Sequence, residues 1–130
     1  MLINENERKK ILSIKSNFVK EEQESKLLEE IFELEEALRN LEEEYSTTNQ
    51  DNTNKLVNSV LEEVTDCVIL ALQINKTRST VKIIDKLILS SPHIHSYLLT
   101  PQVLKGMFNY KLDRTQKRIQ EGIYKSKYKI

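Results

Sequence analysis

Two pairs of acidic residues stand inside otherwise apolar helical segments of this sequence. Glu30 and Glu33 lie in LLEEIFELEEAL, and Glu63 and Asp66 lie in VLEEVTDCVILAL. At about 100° per residue, a spacing of three brings the members of each pair to the same side of a helix. Buried carboxylates are costly unless protons, basic partners or a divalent cation compensate them. Because one cation would explain all four acids, the pattern predicts a metal site.

Apolar residues surround both pairs in the same way. Glu30 lies within the first apolar stripe and Glu33 one step to its side, whereas Glu63 lies within the second stripe and Asp66 at its edge. The stripes consist of Leu27, Ile31, Leu34, Ala37, Leu38 and Leu41, and of Leu56, Val60, Val64, Cys67, Leu70, Ala71 and Ile74. Both helices thus carry an acid where a core residue is expected.

Spacing alone does not distinguish a metal site from a solvated acidic face. The chain has 20 acidic residues in 130, which gives about 3 such pairs by composition alone. The repeated offset from an apolar stripe in two successive helices is what favours the metal site. Four further glutamates point away from the stripes and are expected to form a solvated face: Glu29, Glu35, Glu36 and Glu62.

A basic segment near the C-terminus complements the acidic pairs. Lys111, Arg114 and Arg118 follow one another at i, i+3 and i+7, on the side of the predicted helix that also carries Leu104 and Met107. One interpretation is structural, with long basic side chains packing their stems on the core and pairing with surface acids. The other is phosphate binding, since Arg offers a bidentate fork and Lys a point charge.

Charge separates the two halves of the chain. Residues 1–66 contain 8 Lys or Arg against 17 Asp or Glu, a net charge of −9, whereas residues 67–130 contain 12 against 3, a net charge of +9. Acidic helices packed on basic helices would explain the balance, and so would an acidic metal cluster opposed by an anion-binding helix. The net charge of zero disfavours a dedicated nucleic-acid-binding protein.

Composition predicts one soluble all-α domain over residues 1–130. Only 2 glycines and 2 prolines interrupt the chain, 38% of its residues are hydrophobic, and the apolar positions recur at helical spacing. No apolar run approaches the roughly 18 residues of a membrane span. MLINENERKK lacks the apolar centre of a signal peptide, so a cytoplasmic protein without a membrane partner is expected. The single cysteine, Cys67, is expected in the core.

A bundle of about five helices is predicted, with a central antiparallel hairpin that carries the acids. The expected helices cover about 5–17, 20–45, 55–77, 79–90 and 101–121, with Thr100 as the N-cap of the last and Gly122 as its left-handed C-cap. The polar stretch 46–54 is expected to be the loop of the hairpin. The segment SSPHIHSYLLT is expected to be a second loop, in which His93 and His95 are solvated or, less simply, contact a metal.

The acidic motifs and the basic segment together resemble the MazG-like all-α nucleoside triphosphate pyrophosphohydrolases. That family carries EExxE followed by ExxD on the next helix, and the matching stretches are QESKLLEEIFE at 23–33 and EEVTD at 62–66. The closing FNYKLDRTQKRIQEG looks like the basic helix of small phage and bacterial members, so the resemblance covers about residues 20–122. Thr65 stands where the family often has glycine, and 29 residues separate Glu33 from Glu63, a long connection for the family.

The resemblance implies hydrolysis of a nucleoside or deoxynucleoside triphosphate to the monophosphate and pyrophosphate. It implies four ligands for Mg²⁺, with Mn²⁺ as an alternative: Glu30, Glu33, Glu63 and Asp66. Glu33 and Glu63 are the candidate catalytic residues, with a carboxylate such as Glu33 orienting or deprotonating the attacking water. Lys111 and Arg114 are implied for the substrate phosphates, beside Arg118 from the spacing above. A homodimer or homotetramer would fit the family.

Two alternatives remain open. A dimeric dUTPase-type enzyme shares the all-α core and the acid motifs, and would hydrolyse (d)UTP or (d)UDP. A non-catalytic helical interaction module would carry the same acids as a solvated face. Such a module would neither bind Mg²⁺ or Mn²⁺ nor gain stability from them.

Overall fold

Six helices and no strand make up residues 3–95 and 101–122, the part of the chain that the structure, a computed structural model, describes. In chain order they are α1 (Glu5–Lys15), α2 (Lys20–Glu44), α3 (Gln50–Gln73), α4 (Thr77–Leu89), α5 (Pro92–His95) and α6 (Pro101–Gln120). The predicted all-α fold is confirmed. None of these helices is both long and apolar enough to cross a lipid bilayer. The expected N-cap, Thr100, lies outside the described residues.

α2 and α3 form the predicted antiparallel hairpin. The first turn of α2 meets the last turn of α3, where the side-chain amide of Gln23 donates to Gln73 over 2.9 Å. The connection is shorter than predicted, because α3 begins at Gln50 rather than near residue 55. Asn49 is the physical reason, since its side chain accepts from the backbone N–H of Asn52 at 2.8 Å. This cap gives the first turn of α3 a partner that a loop prediction overlooks.

The predicted apolar stripes meet in the hairpin and form its core. Five side chains are fully buried there: Leu34, Leu41, Val60, Cys67 and Ala71. α4 and α5 close one side of this core with Ile84 and Ile94. The prediction for Cys67 is confirmed, because its thiol is free and buried. Burial, followed by the nearby carboxylates, raises the pKa of Cys67 to about 12, so this thiol is not a nucleophile at neutral pH.

A buried carboxylate fastens α1 to α6. Glu7 is 1% exposed and forms a capping box with Asn4 at the start of α1. Its carboxylate also pairs with the Lys105 ammonium group and accepts from the Asn109 side chain at 2.9 Å. Burial alone would raise the pKa of Glu7, but these hydrogen bonds outweigh it and lower the pKa. α6 is thereby held against α1 while it also packs on α3.

Glu42 of α2 positions α5 at the far end of the bundle. Its carboxylate accepts from the Ser91 hydroxyl at 2.8 Å and from the backbone N–H of His93 at 3.2 Å, and lies 2.7 Å from Nδ1 of the same histidine. The His93 ring stacks on Tyr45, with 3.8 Å between the ring centroids. The expected loop is therefore a short helix at residues 92–95, because a tertiary partner satisfies its first turn. The side chain of His95 is outside the described part of the chain.

Two residues in left-handed backbone conformation end helices. Asn75 follows α3 with a φ of 59°, which asparagine tolerates better than most residues. Gly122 follows α6 with a φ of 76°, as predicted for its role as C-cap. The first of these turns directs α4 back along the hairpin.

Candidate metal centre

Three of the four predicted metal ligands come together where α2 faces α3. Glu30 and Glu33 lie one turn apart on α2, and Glu63 lies opposite them on α3. One carboxylate oxygen from each residue lies within 4.8 Å of the other two. Glu30 is buried, with 6% exposure, whereas Glu63 is partly buried and Glu33 is exposed. The group therefore extends from the core of the hairpin to its surface.

When both carboxyl groups are ionised, two oxygens of this group are buried without a hydrogen-bond partner among the described residues: Oε2 of Glu30 and Oε2 of Glu63. The other Glu30 oxygen, Oε1, lies 3.2 Å from the Lys26 ammonium nitrogen. A buried polar atom without a partner costs about 1–3 kcal/mol, and native structures contain few of them. A divalent cation would coordinate both oxygens. An all-oxygen donor set suits Mg²⁺ or Mn²⁺, which are hard cations.

Burial and mutual repulsion change the protonation of these carboxyl groups. Burial, and then the neighbouring Glu30, raise the pKa of Glu63 to about 9. Burial is also the largest influence on Glu30 and raises its pKa, although the hydrogen bond with Glu63 and, to a smaller extent, the one with Lys26 oppose the rise. In the absence of a cation, Glu63 therefore carries a proton at neutral pH, and its hydroxyl donates a hydrogen bond to the Glu30 carboxylate. A bound cation would compete with that proton for the same oxygens.

Asp66, the fourth predicted ligand, lies outside this group of three. Its two carboxylate oxygens each lie 3.3 Å from the Nζ atom of Lys111 on α6. Burial raises the pKa of Asp66, although the Lys111 charge opposes the rise. Asp66 nevertheless lines the same cavity as Glu30 and Glu63. Its position joins the carboxylate group to the basic helix.

The three predicted phosphate-binding residues line that cavity, whose volume is about 350 Å³. Lys111, Arg114 and Arg118 follow one face of α6, and Lys26 adds a fourth basic side chain from α2. Lys111 is buried and paired with Asp66, as the structural interpretation of the basic segment expects. The same residues also present positive charge to any anion in the cavity. The two interpretations of the basic segment are therefore compatible.

Glu62 is expected on a solvated face, and its side chain remains 41% exposed. Its side chain lines the cavity and lies 3.9 Å from the Lys111 Nζ atom. Its place beside the cavity is a tertiary effect, because α6 packs against α3. Glu29 and Glu36 are exposed as expected, and Glu35 is partly buried.

The cavity continues beyond the carboxylates to residues outside the acidic and basic motifs. Gln23, Gln73 and Phe18 form part of its wall at that end. A signal for the two glutamines is present in the sequence. Gln23 precedes Glu30 by seven residues and Gln73 follows Asp66 by seven, so each lies two turns away on the same helical face.

Comparison of the chain with known protein families, with curated proteins and with solved structures found no match. The class of protein is therefore defined by its own fold and side chains. It is an all-α bundle in which a central hairpin holds a carboxylate group and a basic helix faces that group across one cavity. Such a site suits a hard cation together with an anion.

Proposed function

We propose that the protein is a metal-dependent pyrophosphohydrolase that converts a nucleoside or deoxynucleoside triphosphate to the monophosphate and pyrophosphate. The observation that carries the proposal is the two unpartnered oxygens of Glu30 and Glu63 within the described residues, beside a wall of basic side chains. A metal–triphosphate complex needs carboxylates for its cation and positive groups for its phosphates. The resemblance to MazG-like enzymes supports the same reaction, which would take place in the cytoplasm.

The carboxylates would have different roles in this reaction. Glu30, Glu33 and Glu63 would hold Mg²⁺ or Mn²⁺, with Asp66 beside them. When bound, the cation neutralises phosphate charge and lowers the pKa of water. Glu33 is the exposed member of the group, so it is best placed to orient an attacking water or to accept its proton. The more buried Glu30 and Glu63 would fix the position of the substrate complex.

The basic helix would stabilise the charge that develops on the leaving group. In the proposed reaction a water oxygen forms a bond to the α-phosphorus, the bond from that phosphorus to the α–β bridging oxygen breaks, and pyrophosphate leaves with the electron pair. Lys111, Arg114 and Arg118 line the cavity where that charge would appear. Lys111 is already oriented by Asp66, so it loses little conformational freedom on binding.

Release of pyrophosphate tests the proposal directly. The purified full-length protein is incubated with canonical and modified nucleoside triphosphates, with Mg²⁺ or with a chelator, and pyrophosphate and orthophosphate are measured separately. Metal-dependent release of pyrophosphate is the expected result. A strong preference for dUTP, with hydrolysis of dUDP, would identify the dUTPase-type alternative. No release from any triphosphate, and no rise in melting temperature with Mg²⁺ or Mn²⁺, would favour the interaction module.

We also infer that the protein self-associates as a homodimer or homotetramer. Leu28 and Phe32 are 61% and 67% exposed and lie one turn apart on α2, and Leu89 at the end of α4 is 70% exposed. Apolar surface of this kind is commonly covered by a second subunit. Association of two copies through α2 would also bring additional side chains near the carboxylate group.

A further inference from the structure

The cavity at the metal centre has a second end for which the hydrolysis reaction has no use. Gln23 lies in the first turn of α2 and Gln73 is the last residue of α3. Their side chains are more than nine-tenths buried, and Nε2 of Gln23 donates to Oε1 of Gln73 at 2.9 Å. Among the described residues, no other hydrogen bond involves either side chain. An acceptor on Gln23 and donors on Gln73 are thus left over, because each amide has two acceptor sites and two donors.

We propose that this amide pair recognises the base of the nucleotide and that the base is a pyrimidine, an inference that rests on the function proposed above. A neighbouring donor and acceptor complement the hydrogen-bonding edge of a nucleobase, which presents the same two kinds of group side by side. If the side-chain amides of both glutamines flip by 180°, the order of donor and acceptor reverses. The pair can therefore match uracil or cytosine, but also a purine edge, so the preference for a pyrimidine rests on the size of the cavity.

The spacing along the hairpin agrees with a nucleotide that lies along the cavity. Gln23 and Glu30 are seven residues apart on α2, as are Asp66 and Gln73 on α3, and seven residues of helix rise about 10 Å. A pentose and its first phosphate groups bridge a gap of this order between base and metal. Phe18 lines the amide end and adds apolar surface for the base. Apolar walls with a few placed polar groups are typical of small-molecule sites.

The size of the cavity favours the smaller bases. Its volume of about 350 Å³ is near the lower end of the roughly 300–1,000 Å³ that ligand pockets occupy. The same cavity has to receive phosphate groups at the carboxylate end. A single-ring base leaves room for them, whereas a purine placed between the amides and the carboxylates would need more space.

Calorimetric titration of nucleoside monophosphates tests base recognition without requiring turnover. Uridine, cytidine, adenosine and guanosine monophosphates and their deoxy forms are titrated with Mg²⁺ into the full-length wild type, Gln23→Met and Gln73→Met. Methionine keeps the length of the side chain and removes its donors and acceptor. Gln116→Met is the matched control, because Gln116 is on α6 outside the cavity lining. Helical content by circular dichroism confirms that each variant folds.

The wild type should bind the pyrimidine nucleotides at least 10-fold more tightly than the purine nucleotides. Each Gln→Met change at the amide pair should reduce that preference about 10-fold, and the control should not change it. Base-selective binding without release of pyrophosphate from triphosphates would refute the proposed hydrolysis and leave the base site supported. Release of pyrophosphate with an unaltered base preference in both variants would refute the base site alone. Tighter binding of purines, or no binding of any nucleotide, would also overturn the inference.

Discussion

Replacing Glu63 with Gln should stabilise the metal-free protein and abolish its response to metal. Glu63 has a buried oxygen without a partner among the described residues, next to the Glu30 carboxylate. Its raised pKa of about 9 means that the folded protein binds a proton that the unfolded chain has released. The free energy of unfolding therefore falls as the pH rises from about 4.5 towards 9. Glutamine removes this effect, because it has the same shape and no charge.

The size of the effect follows from the interval between the ordinary carboxyl pKa and the working pH. The interval from the ordinary pKa of 4.5 to pH 7.5 is about 3 pH units. At about 1.4 kcal/mol per unit, this interval gives an upper bound of about 4 kcal/mol on the destabilisation. Glu63 is only partly buried, and solvent screens its charge, so about 1.5 kcal/mol is the reasonable expectation. For a chain of this length, that free energy raises the melting temperature by about 5 °C. Saturating Mg²⁺, at about 100 times its dissociation constant, should stabilise the wild type by about 2.7 kcal/mol.

Thermal unfolding at pH 7.5, with Mg²⁺ or with a chelator, measures both the stabilisation by the substitution and the stabilisation by Mg²⁺. Glu63→Gln should melt higher than the wild type in the chelator, show no further rise with Mg²⁺, and release pyrophosphate at less than a hundredth of the wild-type rate. Glu36→Gln is the matched control, because Glu36 is exposed on α2 and should behave as the wild type. If Glu63→Gln has the same melting temperature as the wild type in the chelator, and Mg²⁺ still raises that temperature, Glu63 is an ordinary surface acid and the metal centre is misassigned.

Three further predictions concern the basic helix, α5 and the apolar surface. Lys111→Met should lower kcat/KM for the preferred triphosphate about 100-fold with unchanged circular dichroism, whereas Lys117→Met, at an exposed position off the cavity, should not. Burial would raise the pKa of Glu42, but the hydrogen bonds from Ser91 and His93 together lower it. The contribution of Glu42 to the free energy of unfolding is therefore complete above its ordinary pKa of 4.5 and is lost as the pH falls through the lowered pKa. Glu42→Gln should accordingly flatten the decline in the free energy of unfolding between about pH 5 and 3 in chemical denaturation, and an equally steep decline would contradict this. Sedimentation at micromolar concentration should show a dimer or tetramer that Phe32→Glu dissociates, and a wild-type monomer would refute self-association.

The fold could be predicted because the signals for helices are local. Apolar spacing identified the buried faces of α2 and α3, including the core position of Cys67, and Gly122 marked the end of α6. Two segments predicted as loops, the start of α3 and residues 92–95, are helical. Asn49 caps a polar first turn of α3, and polar residues are compatible with a helix start once the cap is present. α5 depends on the carboxylate of Glu42, which is distant in sequence and has no local signature.

The part of the site that lies on the α2–α3 hairpin was predictable from the sequence. Glu30, Glu33 and Glu63 come together because their spacing places them on facing sides of two adjacent helices. The pairing of Asp66 with Lys111 depends on how α6 crosses α3, which the spacing of residues within a helix does not determine. The same crossing places Glu62 beside the cavity. Residues whose environment comes from a third helix are therefore the ones that sequence reasoning misplaces.

The cavity contains equal numbers of acidic and basic side chains, as the whole chain does. Four acids and four bases line it: Glu30, Glu62, Glu63 and Asp66, and Lys26, Lys111, Arg114 and Arg118. A divalent cation alone would add to the positive side chains, and a triphosphate alone would add to the carboxylates. The two bound together partly cancel each other's charge, and each would face side chains of the opposite sign. Under the proposed function, this arrangement favours the metal–nucleotide complex over either component and makes their binding mutually reinforcing.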